Sequence, residues 1–281
     1  PCISFEFFPP KTDDGLATLM NTISTLRAFN PSFVSMTYGA GGSTRAKTVE
    51  LVSRIKSEIG LEAVAHLTCV GHHRSELEEI VNDLRSAGIE NILALRGDPP
   101  KGQTRFETAA GGFSNANELV AFIRSKFDFS LGVAGYPEKH PESPSLEEDI
   151  DRLVSKVAAG ADYVVTQLFF SNEDYFRFVD RVRAKGVTVP IIPGIMPVTD
   201  TDQVKRFTSL CGAKLPTALL ARLEAAGADK AAVAHIGVEH AAAQCEDLLR
   251  HGAPGVHFYT LNRSDATREV FRRLTEKGVV R

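Results

Sequence analysis

Apolar and polar positions alternate along this chain in a pattern typical of an α/β protein. Short apolar runs predict buried strands, and amphipathic stretches between them predict helices. The runs lie at 2–8, 33–38, 62–69, 91–97, 130–136, 163–170, 190–196 and 255–261. Each intervening stretch is long enough to cross back over a sheet, as parallel strands require. About eight such alternations predict an α/β fold of the (β/α)8 TIM-barrel type.

Two further features refine this prediction. The first strand is not followed by a G-x-G-x-x-G sequence and no Walker A sequence occurs, which disfavours a doubly wound nucleotide-binding sheet. Residues 213–252 exceed one crossover and predict an extra helical segment before the last strand. Because no linker, repeat or low-complexity tract divides the chain, we expect residues 1–281 to form a single domain.

The ends of several helices are also predicted from local sequence. Gly88 closes the amphipathic stretch 74–88 and predicts a helix C-terminus. Polar residues that precede helical runs predict N-caps at Asp13, Ser43, Ser145 and Asn172.

Composition narrows the class of protein. The chain has 32 basic and 35 acidic residues and a net charge of -3, so it lacks the basic surface that nucleic acid or anionic membranes attract. The four cysteines form no CxxC pair and have no zinc-ligand spacing, so we expect no metal site and a reducing compartment. No apolar run approaches the roughly 20 residues of a membrane span. We therefore expect a cytoplasmic enzyme that acts on small molecules.

Polar residues recur where the predicted strands end. In a TIM barrel the chemistry collects at the C-terminal ends of the strands, so these residues predict a polar site at one end of the barrel. They are Thr37, His66, Asp98, Tyr136, Gln167 and Tyr259.

Two carboxylates are candidates for chemistry. Glu6 lies inside an apolar strand, where Ser4, Glu6 and Phe8 share one side. If that side is the barrel interior, desolvation favours the protonated acid and makes Glu6 a possible proton donor; the alternative is an ion-paired glutamate on an edge strand. Asp98 follows Gly97, so it either approaches a ligand closely or serves as a turn or capping residue.

Other polar residues leave two interpretations open. Asp149, Arg152 and Lys156 share one helix face and either hold a pyrophosphate or form a solvated ladder of ion pairs. A histidine such as His66 in a buried strand is by default a satisfied core residue. Gln167 is harder to explain as core, because a buried amide needs several hydrogen-bond partners.

Seven blocks of sequence resemble the methylenetetrahydrofolate reductase family, in family order and over almost the whole chain. They are SFEFFPPK (4–11), TYGAGGST (37–44), LALRGDPP (93–100), VAGYPEKHPE (133–142), AGADYVVTQLFF (159–170), IIPGIMPV (191–198) and HFYTLNR (257–263). The resemblance implies a (β/α)8 barrel that binds FAD tightly.

The resemblance also implies roles for individual residues. Glu6 matches the general acid, Asp98 the aspartate between flavin and pterin, and Gln167 the glutamine that binds the pterin. The shared folate and nicotinamide pocket is matched by Gln203, Phe207, Tyr259 and Arg263. FAD contacts are matched by Thr37, His66, Arg96, Gly97, Asp98, Ser114, Asn115, Ala116, Tyr136, His140, Asp149, Arg152 and Lys156. The last three match the face that holds the ribityl, phosphate and adenosine portions, so the resemblance favours a cofactor-binding face over a solvated ladder of ion pairs.

The implied reaction is a ping-pong reduction of 5,10-methylenetetrahydrofolate to 5-methyltetrahydrofolate, with NADH or NADPH as co-substrate. The resemblance is to short bacterial-type enzymes, and it implies a homo-oligomer without inhibition by S-adenosylmethionine. Three alternatives stay open: another flavin barrel such as a proline dehydrogenase, a pterin-binding methyltransferase barrel, and a binding subunit without chemistry. The joint presence of Glu6, Asp98 and Gln167 argues against the last.

Overall fold

The computed structural model describes residues 1–39, 45–98 and 108–280, with only the backbone of Arg45. Within these ranges strands and helices alternate, as the sequence predicts. The strands are β1 (Cys2–Phe7), β2 (Phe33–Met36), β3 (Ala63–Thr68), β4 (Asn91–Leu95), β5 (Ser130–Gly135), β6 (Tyr163–Thr166), β7 (Ile191–Ile192), β8 (Gly194–Ile195) and β9 (Gly255–Tyr259). The helices are α1 (Asp13–Leu26), α2 (Arg45–Arg54), α3 (Arg74–Ser86), α4 (Ala116–Lys126), α5 (Leu146–Ala158), α6 (Asn172–Ala184), α7 (Thr201–Cys211), α8 (Thr217–Ala226), α9 (Lys230–Arg250) and α10 (Asp265–Glu276).

The strands hydrogen-bond in the order β7-β6-β5-β4-β3-β2-β1-β9-β8. The registers of β1–β2, β2–β3, β3–β4, β4–β5 and β8–β9 are all parallel. Side chains on both faces of the strands are buried, as Phe5 and Ser4 on β1 illustrate, which is the usual state of a parallel sheet covered by helices. The predicted α/β fold of the TIM-barrel type is confirmed, and α8 with α9 forms the predicted extra helical segment.

The seventh predicted strand, 190–196, is divided into β7 and β8 by Pro193. Proline has no N–H to donate to a ladder, but the carbonyl of Pro193 still accepts a hydrogen bond of 2.9 Å from His257 N. The next residue, Gly194, leaves room for an aromatic ring, since a Cβ there would lie 2.6 Å from Cε2 of Tyr259. Eight predicted strands thus correspond to nine short ones in the described residues.

The chain divides into two compact units that both contain distant segments of sequence. The N-terminal unit comprises Ser4–Ala134 and Arg152–Val164, and the C-terminal unit comprises Pro1–Ile3, Gly135–Asp151 and Val165–Arg281. The expectation of a single domain stays a prediction.

One face of the strands in the N-terminal unit is enclosed by aromatic rings. The ring of Phe33 on β2 lies 6.2 Å from that of Tyr163 on β6, although these strands are not neighbours in the sheet. Gly132 on β5 makes this possible, because a Cβ there would lie 2.5 Å from the ring of Tyr163. Side chains on this face are therefore shielded from solvent from more than one side.

The C-terminal unit has an apolar cluster that joins its last strands to the extra helices. It includes Leu168 and Phe170 beyond β6 and Val233 on α9, and Phe207 and Tyr259 pack against it. All of these side chains are buried or partly buried, so removal of their apolar surface from water stabilises this unit.

Two predicted N-caps lie one residue too far along the chain. Asp13 is the first residue of α1, and the cap is Thr12, whose Oγ1 accepts a hydrogen bond of 3.1 Å from Gly15 N. Asn172 is likewise the first residue of α6, and Ser171 precedes it as the cap. Both errors arise because adjacent polar residues can serve as caps equally well by type.

Two other predicted helix ends agree with the structure. Ser145 accepts a hydrogen bond of 3.1 Å from Glu148 N at the start of α5, which confirms it as a cap. Gly88 follows α3 with a φ of 74°, the left-handed conformation that glycine adopts at helix ends. The predicted cap Ser43 lies outside the described residues.

Helix α2 ends in a wider turn than an α-helix has. Residues Ile55–Ile59 form a π-helix, and Gly60, with a φ of 73°, donates its N–H to the carbonyl of Ile55 at 3.1 Å. A π segment of this kind places one extra residue in a helix without interrupting it.

The four cysteines are reduced, and Cys69 and Cys245 are buried. Burial raises the pKa of the Cys69 thiol to about 12 and raises the pKa of Cys245 as well, so both behave as small apolar groups. Across the described ranges, no helix combines the length and the apolar character that a membrane crossing needs.

We expect Gly237→Ala on α9 to destabilise the protein by ~2 kcal/mol, the usual cost of overpacking. A Cβ at this position would overlap the backbone of Val198, including its carbonyl oxygen, and this clash outweighs the ~1 kcal/mol that alanine gains in a helix. Urea unfolding measures the change. In the control Ala243→Gly, at an exposed site of the same helix, only the helix preference is lost; equal or greater stability of Gly237→Ala would contradict the packing argument.

Candidate functional site

Glu6 lies on the enclosed face of the N-terminal unit. Its Oε2 is 3.4 Å from Nε2 of His66, and the side chains of Glu6 and His66 are 18% and 6% exposed. In the parallel register Glu6 is paired with Ser35 of β2. Because β1 is flanked by β2 and β9, Glu6 does not lie on an edge strand, and His66 is a group with which it can form an ion pair. A carboxylate and an imidazole at this distance can hold a proton at either group, which is what acid–base chemistry requires.

Other polar groups surround this pair. His66 lies within β3 rather than at its end, and it is buried. The buried hydroxyls Ser35 Oγ and Thr68 Oγ1 have no hydrogen-bond partner among the residues that the structure describes. Thr37 directly follows β2, and its N–H donates to the carbonyl of Phe7 at 2.8 Å. Buried polar atoms are nearly always paired, so unsatisfied hydroxyls beside Glu6 indicate a place for a polar ligand or water.

The end of β4 is fixed to the end of β3. The carbonyl of Arg96 accepts hydrogen bonds from Val70 N at 3.0 Å and from Cys69 Sγ at 3.3 Å. Gly97 has a φ of 90°, and a Cβ there would lie 2.5 Å from Cγ1 of Val70, so no other residue fits. Asp98 follows and is exposed. This turn presents the carboxylate at the strand end while the backbone behind it is held still.

The loop that enters α4 is stabilised by its own polar side chains. Asn115 is the N-cap, and its Oδ1 accepts from Glu118 N at 3.1 Å. Ser114 donates to the Glu118 carboxylate through its N–H at 2.8 Å and through Oγ at 3.0 Å. The predicted position of Ser114, Asn115 and Ala116 at the start of the fourth helix is confirmed, and their contact with FAD stays a prediction.

Asp149, in the C-terminal unit, holds the loop before its own helix. Its Oδ2 accepts from His140 N at 2.9 Å, and its Oδ1 accepts from Ser143 Oγ at 3.0 Å. The imidazole of His140 lies edge-on to the ring of Tyr136, with 4.7 Å between ring centroids. Asp149 thus positions two of the other predicted cofactor residues.

Arg152 and Lys156 follow Asp149 on α5 with the predicted spacing, and both belong to the N-terminal unit. Arg152 is exposed. Lys156 is half-buried, and its ammonium donates to the carbonyl of Ala134 on β5. This bond brings the positive charge of Lys156 to the C-terminal end of β5, where an anionic ligand could contact it.

Gln167 is held in place by the residues on both sides of it. Its N–H donates to the carbonyl of Gly135 at 2.8 Å, and its Oε1 accepts from Leu168 N at 2.8 Å. The carbonyl of the preceding Thr166 accepts from the hydroxyl of Tyr259 at 2.6 Å. Tyr259 therefore acts on the backbone next to Gln167, a role that its place in the sequence did not reveal.

Gln203 and Phe207 lie one turn apart on α7. Phe207 packs against the apolar cluster that contains Leu168, so it lies near the loop that begins at Gln167. Gln203 is exposed, and its backbone N–H is bound by the helix cap Asp200 at 2.8 Å. Since residues four apart share a helix face, Gln203 lies on the same face of α7 as Phe207.

Unusual backbone conformations precede two of the predicted site residues. Leu261 and Asn262 have φ values of 51° and 59°, and Arg263, which is exposed, follows them directly. Lys139 has a φ of 101° and directly precedes His140. Residues other than glycine adopt such φ values at a cost in conformational energy. Backbone strain of this kind clusters at binding and catalytic sites. These two turns support a functional role for the loops after β5 and β9.

Two residues of α9 that sequence reasoning missed contact the loop after Gln167. Gln244 Nε2 donates to the carbonyl of Phe169 at 3.0 Å, and His240 Nε2 donates to the carbonyl of Phe170 at 3.0 Å. Their only signal in the sequence is a pair of polar residues one helical turn apart in an alanine-rich helix. Nothing in that pattern identifies partners that lie 70 and 75 residues away along the chain.

Comparison with known proteins adds an independent result. The family model described as methylenetetrahydrofolate reductase matches residues 1–275. A relative from Arabidopsis thaliana, named methylenetetrahydrofolate reductase (NADH) 1, is 42% identical over 270 residues, which are 92% of this chain and 46% of that protein. A relative from Salmonella typhimurium, named 5,10-methylenetetrahydrofolate reductase, is 41% identical over 263 residues, which are 94% and 87% of the two chains. The chain thus spans about half the length of the plant relatives that it matches.

Solved structures resemble the fold. A protein from Clostridium thermocellum, described as binding two copies of 5-methyl-5,6,7,8-tetrahydrofolic acid, aligns with a TM-score of 0.64 at 16% identity and covers 98% of this chain and 94% of its own. A 2,3-dimethylmalate lyase aligns with a TM-score of 0.53 at 11% identity, over 99% of this chain and 80% of its own. At such identities the likeness is one of fold alone.

We expect Asp149→Ala to lower the free energy of unfolding by ~2 kcal/mol even without any ligand, because a charged acceptor shared by two donors is lost. Asp149→Asn keeps one carbonyl oxygen as an acceptor and should lose about half as much. Denaturant unfolding of the ligand-free proteins measures both changes. Wild-type stability of Asp149→Ala would show that the loop does not depend on this carboxylate.

Proposed function

This chain belongs to the methylenetetrahydrofolate reductase family, and from that membership we propose that it reduces 5,10-methylenetetrahydrofolate to 5-methyltetrahydrofolate with FAD and a reduced nicotinamide. The observation that carries the proposal is the enclosed Glu6 carboxylate at 3.4 Å from His66. A family member that retained only binding would have no need for a shielded acid–base pair, which is costly to bury.

The residues present fit a flavin. The buried hydroxyls of Ser35 and Thr68 need hydrogen-bond partners, and the polar edge of a heterocycle would supply them. The chemistry that FAD supplies when bound is hydride transfer, which links nicotinamide oxidation to folate reduction. The residues that would hold it are Thr37, His66, Arg96, Gly97, Asp98, Ser114, Asn115, Ala116, Tyr136, His140, Asp149, Arg152 and Lys156.

The three charged residues of α5 would have two different roles. Arg152 and Lys156 would bind the pyrophosphate, since both are cations on one helix. Asp149 would act mainly through the loop that it holds, because its two oxygens already accept from His140 N and Ser143 Oγ.

Glu6 would supply the proton. Reduction of the substrate requires its five-membered ring to open, and the nitrogen that departs must be protonated. A protonated Glu6, shielded by the strands and next to His66, would donate that proton. His66 would accept or return a proton to Glu6 between turnovers.

Gln167 would orient the pterin. Its Oε1 accepts from Leu168 N, which directs the side-chain NH2 group as a donor to a ring acceptor. Asp98, exposed at the end of β4, would lie between flavin and pterin. Folate and nicotinamide would use one pocket in turn, as a ping-pong sequence requires. The residues that would contact them there are Gln203, Phe207, Tyr259 and Arg263.

The proposal also covers the nicotinamide that donates the hydride, the cellular location and the oligomeric state. The names of the plant relatives contain NADH, which favours NADH over NADPH here. We expect a cytoplasmic homo-oligomer, either a dimer or a tetramer. Light scattering of the purified protein tests the oligomeric state.

An anaerobic visible absorption spectrum tests the proposal as a whole. Purified protein with FAD should show a flavin spectrum that bleaches with NADH or NADPH and recovers when methylenetetrahydrofolate is added. Bleaching by proline instead would indicate another flavin barrel. Protein that does not take up FAD would favour a pterin-binding methyltransferase.

We expect Glu6→Gln to retain FAD and nicotinamide oxidation but to reduce folate about 10²–10⁴-fold more slowly, the usual contribution of a general acid. The two half-reactions are measured separately by stopped-flow absorption. Asp14→Asn, at an exposed position on α1, is the matched control and should leave both rates unchanged. Normal folate reduction by Glu6→Gln would exclude Glu6 as the acid.

A further inference from the structure

The loop from Gln167 to the start of α6 contains carbonyl groups that its own backbone does not satisfy. Phe169 and Phe170 are 1% and 3% exposed, and a buried carbonyl without a donor is costly. The donors come from α9: Gln244 Nε2 binds Phe169 O and His240 Nε2 binds Phe170 O, both at 3.0 Å. Because residues four apart share a helix face, one face of α9 supplies both bonds.

The start of α6 is attached to the same helix. Asn172 Nδ2 donates to the carbonyl of Gln244 at 3.0 Å and to Oδ2 of Asp247 at 2.7 Å. Gln244 therefore contributes in both directions, since its side chain binds Phe169 and its backbone carbonyl binds Asn172. Bonds in both directions hold the loop more firmly than either bond alone.

The chemistry of these donors suits a fixed role. Gln244 is 6% exposed, so its amide cannot exchange its partner for water. A carbonyl has no proton to give, so His240 must carry hydrogen on Nε2. Desolvation lowers the pKa of His240, which keeps the ring neutral near pH 7, and the neutral Nε2–H form makes the same bond.

We propose that Gln244 and His240 are positioning residues that place the Gln167 side chain for folate. Gln167 is anchored before the loop by Gly135 and, through Thr166, by Tyr259, and α9 anchors the residues that follow. The amide of Gln167 is bonded to Leu168 N, so a shift of the loop would move the amide with it. The choice of Gln167 as the affected group rests on the proposed function.

The experiment compares Gln244→Leu and His240→Leu with wild-type holoenzyme. A misplacement of about 1 Å can cost 10²-fold in rate, so we expect folate reduction to fall by about 10–100-fold. The nicotinamide half-reaction should stay within about twofold, and the flavin spectrum should not change. His240→Gln, which restores a side-chain N–H donor, should recover a large part of the rate.

His235→Leu is the matched control, because His235 is an exposed histidine on the same helix; it should behave as wild type. Equal losses in both half-reactions of Gln244→Leu would show a general structural role and overturn the proposal. Wild-type folate reduction by both leucine variants would overturn it as well.

A second measurement separates this proposal from the proposed function. Hydrogen–deuterium exchange of ligand-free protein reports on the peptide that contains 167–171, and we expect faster exchange there in Gln244→Leu but not in His235→Leu. Unchanged exchange would show that the hydrogen bonds from α9 do not hold the loop, and would overturn this proposal whatever the protein catalyses. If the wild type does not reduce folate, but exchange in Gln244→Leu is faster as expected, only the proposed function is overturned.

Discussion

The register of the parallel ladder is the constraint on which the candidate site depends. In a strand, alternate side chains point to opposite faces, so the pairing of Glu6 with Ser35 fixes which face of β1 carries the acid. A shift of one residue would turn Glu6 toward the helices and separate it from His66. The aromatic contact of Phe33 with Tyr163 encloses the same face. The same set of backbone bonds therefore determines both the fold and the surroundings of the carboxylate.

The sequence predicted the parts of this site that depend on local pattern. All eight apolar runs contain strands, and the polar residues Thr37, Tyr136 and Gln167 directly follow β2, β5 and β6. Patterning succeeds here because buried parallel strands are apolar on both faces, so a polar residue such as Glu6 within one is conspicuous. The family resemblance, rather than spacing, was needed to connect these residues with folate and flavin.

Long-range contacts are where local reasoning failed. The sequence offered two interpretations of the charged face of α5, a ladder of ion pairs or a pyrophosphate site. Neither included the hydrogen bond that Asp149 accepts from His140 N. Gln244 and His240 were not foreseen at all, since their partners are carbonyl groups, which every residue has. A strand divided at Pro193 was also missed, because an apolar run does not show where a ladder lacks a donor. For Asp149, Gln244 and His240 the deciding partners include backbone atoms, which leave no trace in residue type, whereas Pro193 is visible in the sequence and could have predicted the division of the strand.

The π-helical turn at Ile55–Ile59 indicates where this fold can accept a change of one residue in chain length. An insertion of one residue within a strand would reverse the faces of all side chains after it, whereas the wider turn accommodates one within a helix. Gly60 closes this turn, and β3 begins at Ala63 in correct register. A change of one residue in length at this turn would thus leave the register of β3, which carries His66, unaltered. The helices, rather than the ladder, are therefore the part of this fold that can absorb a change of one residue in length.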